Sequence, residues 1–131
     1  MAMTIQTLKA DHVALTVTDP ARSRAFYELL GFTLAEEMPT GYLLTNGSFM
    51  LGMRTAWDPA LAPPNDRFDL NRVGLDHLAL AVSSRSDLED AVRLAAEHGI
   101  ECGEIVESGP EYVLMLKDPD GVQVELCTPS S

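Results

Sequence analysis

The sequence predicts an α+β protein built from two βαβββ repeats, and three observations point to it. The pattern Asp-His-aliphatic-Ala-Leu-x-Val occurs twice, as "DHVALTV" from Asp11 and "DHLALAV" from Asp76. Each copy runs into an amphipathic stretch that ends at a glycine. Each copy closes on an apolar hairpin with a turn sequence, "TNGS" or "DPDG", at its tip.

The elements follow in order. "HVALTV" reads as a strand, since Val13, Leu15 and Val17 alternate with His12, Ala14 and Thr16. Asp19 is a suitable N-cap with Pro20 at the first helical position, Phe26, Leu29 and Leu30 form a stripe, and Gly31 stops the helix. "FTLAEEM" and the hairpin "GYLLTNGSFMLGMRT" supply three more strands. In the second copy, Leu78, Leu80 and Val82 alternate with His77, Ala79 and Ala81. "SDLE", Ser86 to Glu89, has the form of a capping box. Leu88, Ala91, Val92 and Ala95 give its helix one apolar face, and Gly99 ends it. His98, beside that glycine, is expected to face solvent. "ECGEIVES" and "EYVLMLKDPDGVQVELCTP" complete the second unit. The repeats span about 8–56 and 73–129 of a single 131-residue domain, joined by the Pro- and Asp-rich linker "AWDPALAPPNDRFDLNR".

Composition narrows the partners. A formal charge of −11 leaves no basic patch for nucleic acid or an anionic membrane. No apolar run reaches membrane-spanning length, and "MAMTIQTLKAD" carries no signal-peptide core. Two cysteines make no disulfide framework, so a reducing cytoplasm is the expectation.

In both first strands the bulky aliphatic side suits a helix, and the histidine side is lined by small residues. In "GVQVELC", Val122, Val124 and Leu126 take the helix side, which turns Glu125 inward with the histidines. That carboxylate is either a solvent-wetted rim residue or a metal ligand, completed by the neutral imidazoles of His12 and His77. Setting Gly47 against Gly121 places Leu51 opposite Glu125, with Phe49 and Met53 beside it. Phe49, Leu51, Met53, Tyr42, Tyr112 and Met115 are expected pocket walls. Gln123, Cys127, Tyr42 and Tyr112 are the available acid–base side chains, and no one of them stands out as catalytic.

"DHVALTV…FYELLGF" and "GLDHLALAV…KDPDGVQVEL" resemble the vicinal oxygen chelate superfamily. Its members include glyoxalases, extradiol dioxygenases, fosfomycin-inactivating enzymes, epimerases and bleomycin-binding proteins. The resemblance covers nearly the whole chain. It implies the glyoxalase/bleomycin resistance/dioxygenase-like fold of half-open barrels, a divalent metal (Fe, Mn, Ni, Co or Zn) on His12, His77 and Glu125, and a homodimer. It implies a lyase or dioxygenase acting on a small, partly apolar substrate held through two neighbouring oxygens. Two departures stand out: Leu51 where lactoylglutathione-type glyoxalases bring a second glutamate, and Met115 where ring-cleaving dioxygenases carry a tyrosine. Nine Lys and Arg in total offer no phosphonate-binding cluster. The alternative reading is a metal-free protein that sequesters a hydrophobic or aromatic antibiotic. The complete triad favours the enzyme, and the missing proton shuttle favours the binder.

Overall fold

Each half of the chain buries one face of a four-stranded sheet under one helix. The computed structural model describes residues 2–131, which fall into two compact units, 2–57 and 58–131. The first contains β1 (His12–Thr16), α1 (Pro20–Leu29), β2 (Thr33–Met38), β3 (Gly41–Thr45) and β4 (Met50–Arg54). The second contains a 3-10 turn (Pro59–Leu61), β5 (Leu78–Ala81), α2 (Arg85–His98), β6 (Val106–Ser108), β7 (Glu111–Lys117) and β8 (Gln123–Pro129). The strand orders are β1-β4-β3-β2 and β5-β8-β7-β6. Neither sheet closes on itself, so each unit is a half-open barrel, the two-repeat α+β architecture expected from the sequence.

In both units the first strand pairs in parallel with the last, while the other neighbours are antiparallel. A parallel neighbour cannot be reached by a tight turn, so a helix carries the chain across one face. The first unit buries Leu15, Val17, Phe26, Tyr27, Phe32, Leu44, Leu51 and Met53 beneath α1. Tyr27 is completely buried, edge-on to both Phe26 and Phe32. The expected stripe of Phe26, Leu29 and Leu30 therefore turns by a fraction of a helical turn. Ser23, Phe26 and Tyr27 are buried, and the two leucines are only half-buried. The second unit buries Leu78, Leu88, Ala91, Ala95, Leu114, Leu116, Val122, Val124 and Leu126.

The helix starts differ in detail. Asp19 caps α1, its Oδ1 accepting from the Ala21 and Arg22 amides. The cap of α2 lies two residues earlier than the Ser86–Glu89 reading: Ser84 is the N-cap. The Asp87 carboxylate accepts from the Ser83 and Ser84 amides. Asp87 reaches back to these donors, so the box closes there. Val92 sits at the edge of the buried face rather than within it. The "ECGEIVES" strand shrinks to three residues, with Cys102 bridging separately to Leu116.

The two hairpin tips have unequal lengths. Asn46 Oδ1 accepts from the Ser48 and Phe49 amides, while Asn46 N–H donates to Phe49 O. In the second unit Asp118 Oδ1 accepts from the Asp120 and Val122 amides, and Asp118 N–H donates to Val122 O. Thr45 pairs with Met50, whereas Lys117 pairs with Gln123, one residue further along the chain. The second tip also receives the linker: Phe68 N–H donates to Asp120 O and Arg67 donates to Pro119 O.

Two stability outcomes follow. The Ser23 hydroxyl is buried with no hydrogen-bond partner among the described residues. Ser23→Ala should therefore raise unfolding stability by about 1 kcal/mol, read by urea denaturation. Leu51→Ala should cost about 2–5 kcal/mol, because the side chain is fully enclosed, while Met50→Ala on the opposite face should cost far less. Equal costs would mean that the two faces of β4 are exchanged.

Candidate functional site

Register decides which side chains accompany each histidine. In the first unit Val13 pairs with Leu51, Ala14 with Gly52, Leu15 with Met53 and Thr16 with Arg54. Paired residues share a face, and Leu15, Leu51 and Met53 are buried under α1. His12, Ala14, Met50, Gly52 and Arg54 therefore share the other face, joined by Leu43, the partner of Gly52. In the second unit Leu78 pairs with Val124 and Ala79 with Glu125. Glu125 in turn pairs with Met115, and Cys127 pairs with both Ala81 and Val113.

This corrects the equivalence drawn from the two glycines. Gly52, not Leu51, occupies the place of Glu125. The tip at Asn46 is one residue shorter than the tip at Asp118, so matching Gly47 to Gly121 slips the register by one, and a one-residue slip exchanges faces. Leu51 and Met53 are buried in the core rather than on the histidine face, and Phe49 lies half-buried in the tip before β4 begins. Tyr42 pairs with Met53 and lies under the Arg24 guanidinium of α1, 4.9 Å from the ring centroid. Tyr112 pairs with buried Thr128 and lies under Arg85 of α2 at 4.6 Å. Both tyrosines are therefore on the helix side. Met115, Gln123 and Cys127 share the face of Glu125. The residues missed were Met50, Gly52, Arg54 and Leu43. The alternation of β4, read as β8 was read, places Leu51 and Met53 toward the helix and Gly52 and Arg54 away from it.

Both histidines are held in the same way. His12 Nδ1 lies 2.8 Å from Asp11 Oδ2, and His77 Nδ1 lies 2.7 Å from Asp76 Oδ1. A carboxylate at Nδ1 favours a proton there and leaves Nε2 as a bare lone pair, the arrangement found around metal-bound histidines. His77 Nε2 is 3.9 Å from Glu125 Oε2, too long for a hydrogen bond. That gap is also wider than the roughly 3.0–3.4 Å that two neighbouring donors of one ion span, so the two side chains would draw together to hold one. The donor chemistry of this pair, one imidazole and one carboxylate, fits a divalent metal. The structure thus brings His77 and Glu125 together, and His12 belongs to the other unit. Among the described residues no three His, Cys, Asp or Glu side chains gather into one metal-binding cluster.

The neighbours of the pair hold the strand ends rather than supply reactive groups. Gln123 Nε2 donates to Asp76 O at 3.1 Å, which ties β8 to the segment carrying His77. The Cys127 thiol faces Leu80 O at 3.7 Å. Burial first, then a hydrogen bond to Glu111 and the charges of Glu111 and Glu125, push its pKa above the ordinary thiol value. Burial pushes Cys102 up as well. Both are free thiols that stay protonated near neutral pH, which makes them poor nucleophiles. His98 occupies the last turn of α2 and is exposed.

Similar proteins share this plan. The uncharacterized protein YaeR of Escherichia coli strain K12 is 32% identical over 126 residues, 88% of this chain and 92% of that one. The glyoxalase family protein from Enterococcus faecalis has a TM-score of 0.71 at 25% identity, over 92% of this chain and 97% of that one. The antibiotic binding protein TnmS3 from Streptomyces sp. CB03234 has a TM-score of 0.66 at 23% identity, over 96% of this chain and all of that one. No helix is long and apolar enough to cross a membrane among the described residues. The sequence profile of one family matches residues 9–126, nearly the full length of both βαβββ units, and the chain belongs to the glyoxalase/bleomycin resistance protein/dioxygenase superfamily.

Proposed function

We propose that the chain is a divalent-metal-dependent enzyme, a lyase or dioxygenase, whose metal ligands are His77, Glu125 and His12. The observation that carries this reading is the pair of aspartate-held imidazoles, one of which has Glu125 across a 3.9 Å gap from its Nε2. His12 completes the set, from the same chain or from a second copy in a homodimer. A bound ion, Fe, Mn, Ni, Co or Zn, would supply Lewis-acid polarisation of two neighbouring substrate oxygens.

The chain's own residues do the rest. Asp11 and Asp76 hold the Nδ1 protons, so both imidazoles are oriented before any ligand arrives. Glu125 provides the negative charge that two neutral imidazoles lack. Ala14, Gly52, Ala79 and Ala81 line these faces with little side-chain volume, which leaves room for a small substrate. Leu43 and Met50 make the face of the first unit apolar and adaptable, and Met115 does the same on the face of the second. The unpaired thiols of Cys102 and Cys127 fit a reducing, cytoplasmic setting.

A second reading has a specific observation in its favour. The same apolar lining, with the third histidine, His98, exposed in the last turn of α2, suits a protein that sequesters a hydrophobic or aromatic antibiotic without metal. The two readings differ in their response to metal. Mn(II) or Ni(II) should raise the melting temperature of the wild type, by an amount equivalent to about 2.7 kcal/mol at a hundredfold excess over the dissociation constant. Glu125→Gln should fold and gain much less. Indifference of the wild type to every divalent ion, together with stabilisation by an apolar aromatic compound, would instead establish the sequestering protein.

The orienting carboxylates make a separate expectation. Asp76→Asn keeps the side-chain size but removes the charge at His77 Nδ1. Metal affinity measured by calorimetry should fall roughly 10–100-fold with an unchanged melting temperature of the metal-free protein. An unaltered affinity would reduce Asp76 to a surface partner.

A further inference from the structure

We infer that Arg54 is an anion-recognition residue on the histidine face of the first unit, and that the ligand taken there carries a carboxylate or phosphate group. The inference rests on the proposed small-molecule site and names the chemistry of one end of its ligand. Arg54 closes β4, pairs with Thr16 and Gly41, and follows Met50 and Gly52 on the face of His12. It stands four positions beyond Met50, the partner of His12, or about 13 Å along the strand. Ala14 and Gly52 stand between, with Leu43 beside Gly52 and Thr16 beside Arg54. Gly41 is fixed as glycine by its neighbours, since a Cβ there would fall 1.8 Å from Met53 O. Arg54 therefore has no side chain beside it on that strand.

The guanidinium is held without being neutralised. Its carbon sits 3.4 Å from the centroid of the Trp57 ring, and its Nε donates to Thr55 O at 3.2 Å. Ion pairs engage Arg24, Arg85, Arg93 and Lys117, but among the described residues none engages Arg54. The chain has 20 Asp and Glu against nine Lys and Arg. In such a chain, a half-buried arginine stacked on an indole and bonded to a carbonyl keeps its terminal nitrogens for an external acceptor. Guanidinium geometry matches the two oxygens of a carboxylate or phosphate. With a formal charge of −11 the protein offers anions no general attraction, so an anion on this face needs this specific cation. The equivalent position in the second unit is Cys127, so the feature belongs to one half alone.

Trp57 is the only tryptophan, and its fluorescence reports directly on the stacked guanidinium. Metal-free protein, prepared over a chelating resin, is titrated with inorganic phosphate and separately with succinate, at ionic strength fixed by chloride. A saturable Trp57 signal is expected with at least one of them, and which one responds assigns phosphate or carboxylate. Arg54→Met should weaken that binding about tenfold or more, with Arg54→Lys between the two. Should Arg54→Met fail to fold, the wild-type Arg54 Nε–H resonance must move with the same saturation curve. No saturable response to either anion, a response undiminished in Arg54→Met, or a still resonance would overturn the inference. The metal reading is judged separately by its own thermal shifts, because no metal is present in this titration.

Discussion

The parallel pairing of β1 with β4, and of β5 with β8, is the constraint on which the rest of the structure depends. It joins the first and last strands of each repeat and obliges a helix to cross one face of the sheet. Once that face is covered, the alternation of strand side chains divides every residue into two populations. Leu15, Leu51 and Met53 pack under α1, and Leu114, Val124 and Leu126 pack in the core of the second unit. What remains on the far face, His12 with Gly52 and Arg54, or Ala79 with Glu125 and Cys127, is free of packing duty. The polar and titratable side chains of the sheets thus fall largely on the face that the helices do not touch.

The hairpin tips convert this division into a specific set of neighbours. An asparagine or aspartate side chain accepts amide hydrogens at each tip and so sets where the returning strand begins. In the second unit the tip is further fixed by the linker, whose Phe68 amide reaches Asp120 O. Arg67 also lies where a Cβ on Gly121 would meet it at 3.0 Å, which adds a local reason for glycine to a backbone already at φ +86. A change of one residue in tip length leaves each hairpin intact but shifts which side chain stands beside a given partner. That is how two copies of one plan come to present different groups at one place.

Much of this was legible from the chain alone, for reasons that can be named. The duplicated "DH" strands, Asp19 before Pro20 and the glycines after each helix are local patterns whose physics acts over a few residues. The inward turn of Glu125 was legible because Val122, Val124 and Leu126 alternate without interruption. The first-unit face was not, since Gly47 and Gly121 invite an alignment that ignores the extra residue in the Asp118 tip. Phe49, Leu51 and Met53 were assigned by that alignment, whereas the alternation of β4 places Leu51 and Met53 under α1. Tyr42 and Tyr112 were misplaced for another reason. An aromatic near a strand end suits either face, and the strand register together with Arg24 and Arg85 of the helices shows which one it takes.

The two units differ far less on their helix faces than on their histidine faces, and the energetics of the two surfaces account for this. Leu51 answers to Val124 and Met53 to Leu126, all apolar and all nearly or fully buried. A polar group at any of these places would lose its hydration with nothing to replace it, a cost of several kcal/mol in a fold of ordinary stability. On the other face Gly52 answers to Glu125 and Arg54 to Cys127. No helix packs there, so a carboxylate, a guanidinium or a bare backbone can be exchanged with little effect on the core. Duplication under that asymmetry gives a protein with two similar scaffolds and one dissimilar pair of surfaces. The carboxylate of one half and the cation of the other therefore stand where the packing of the helices places no demand on side-chain type.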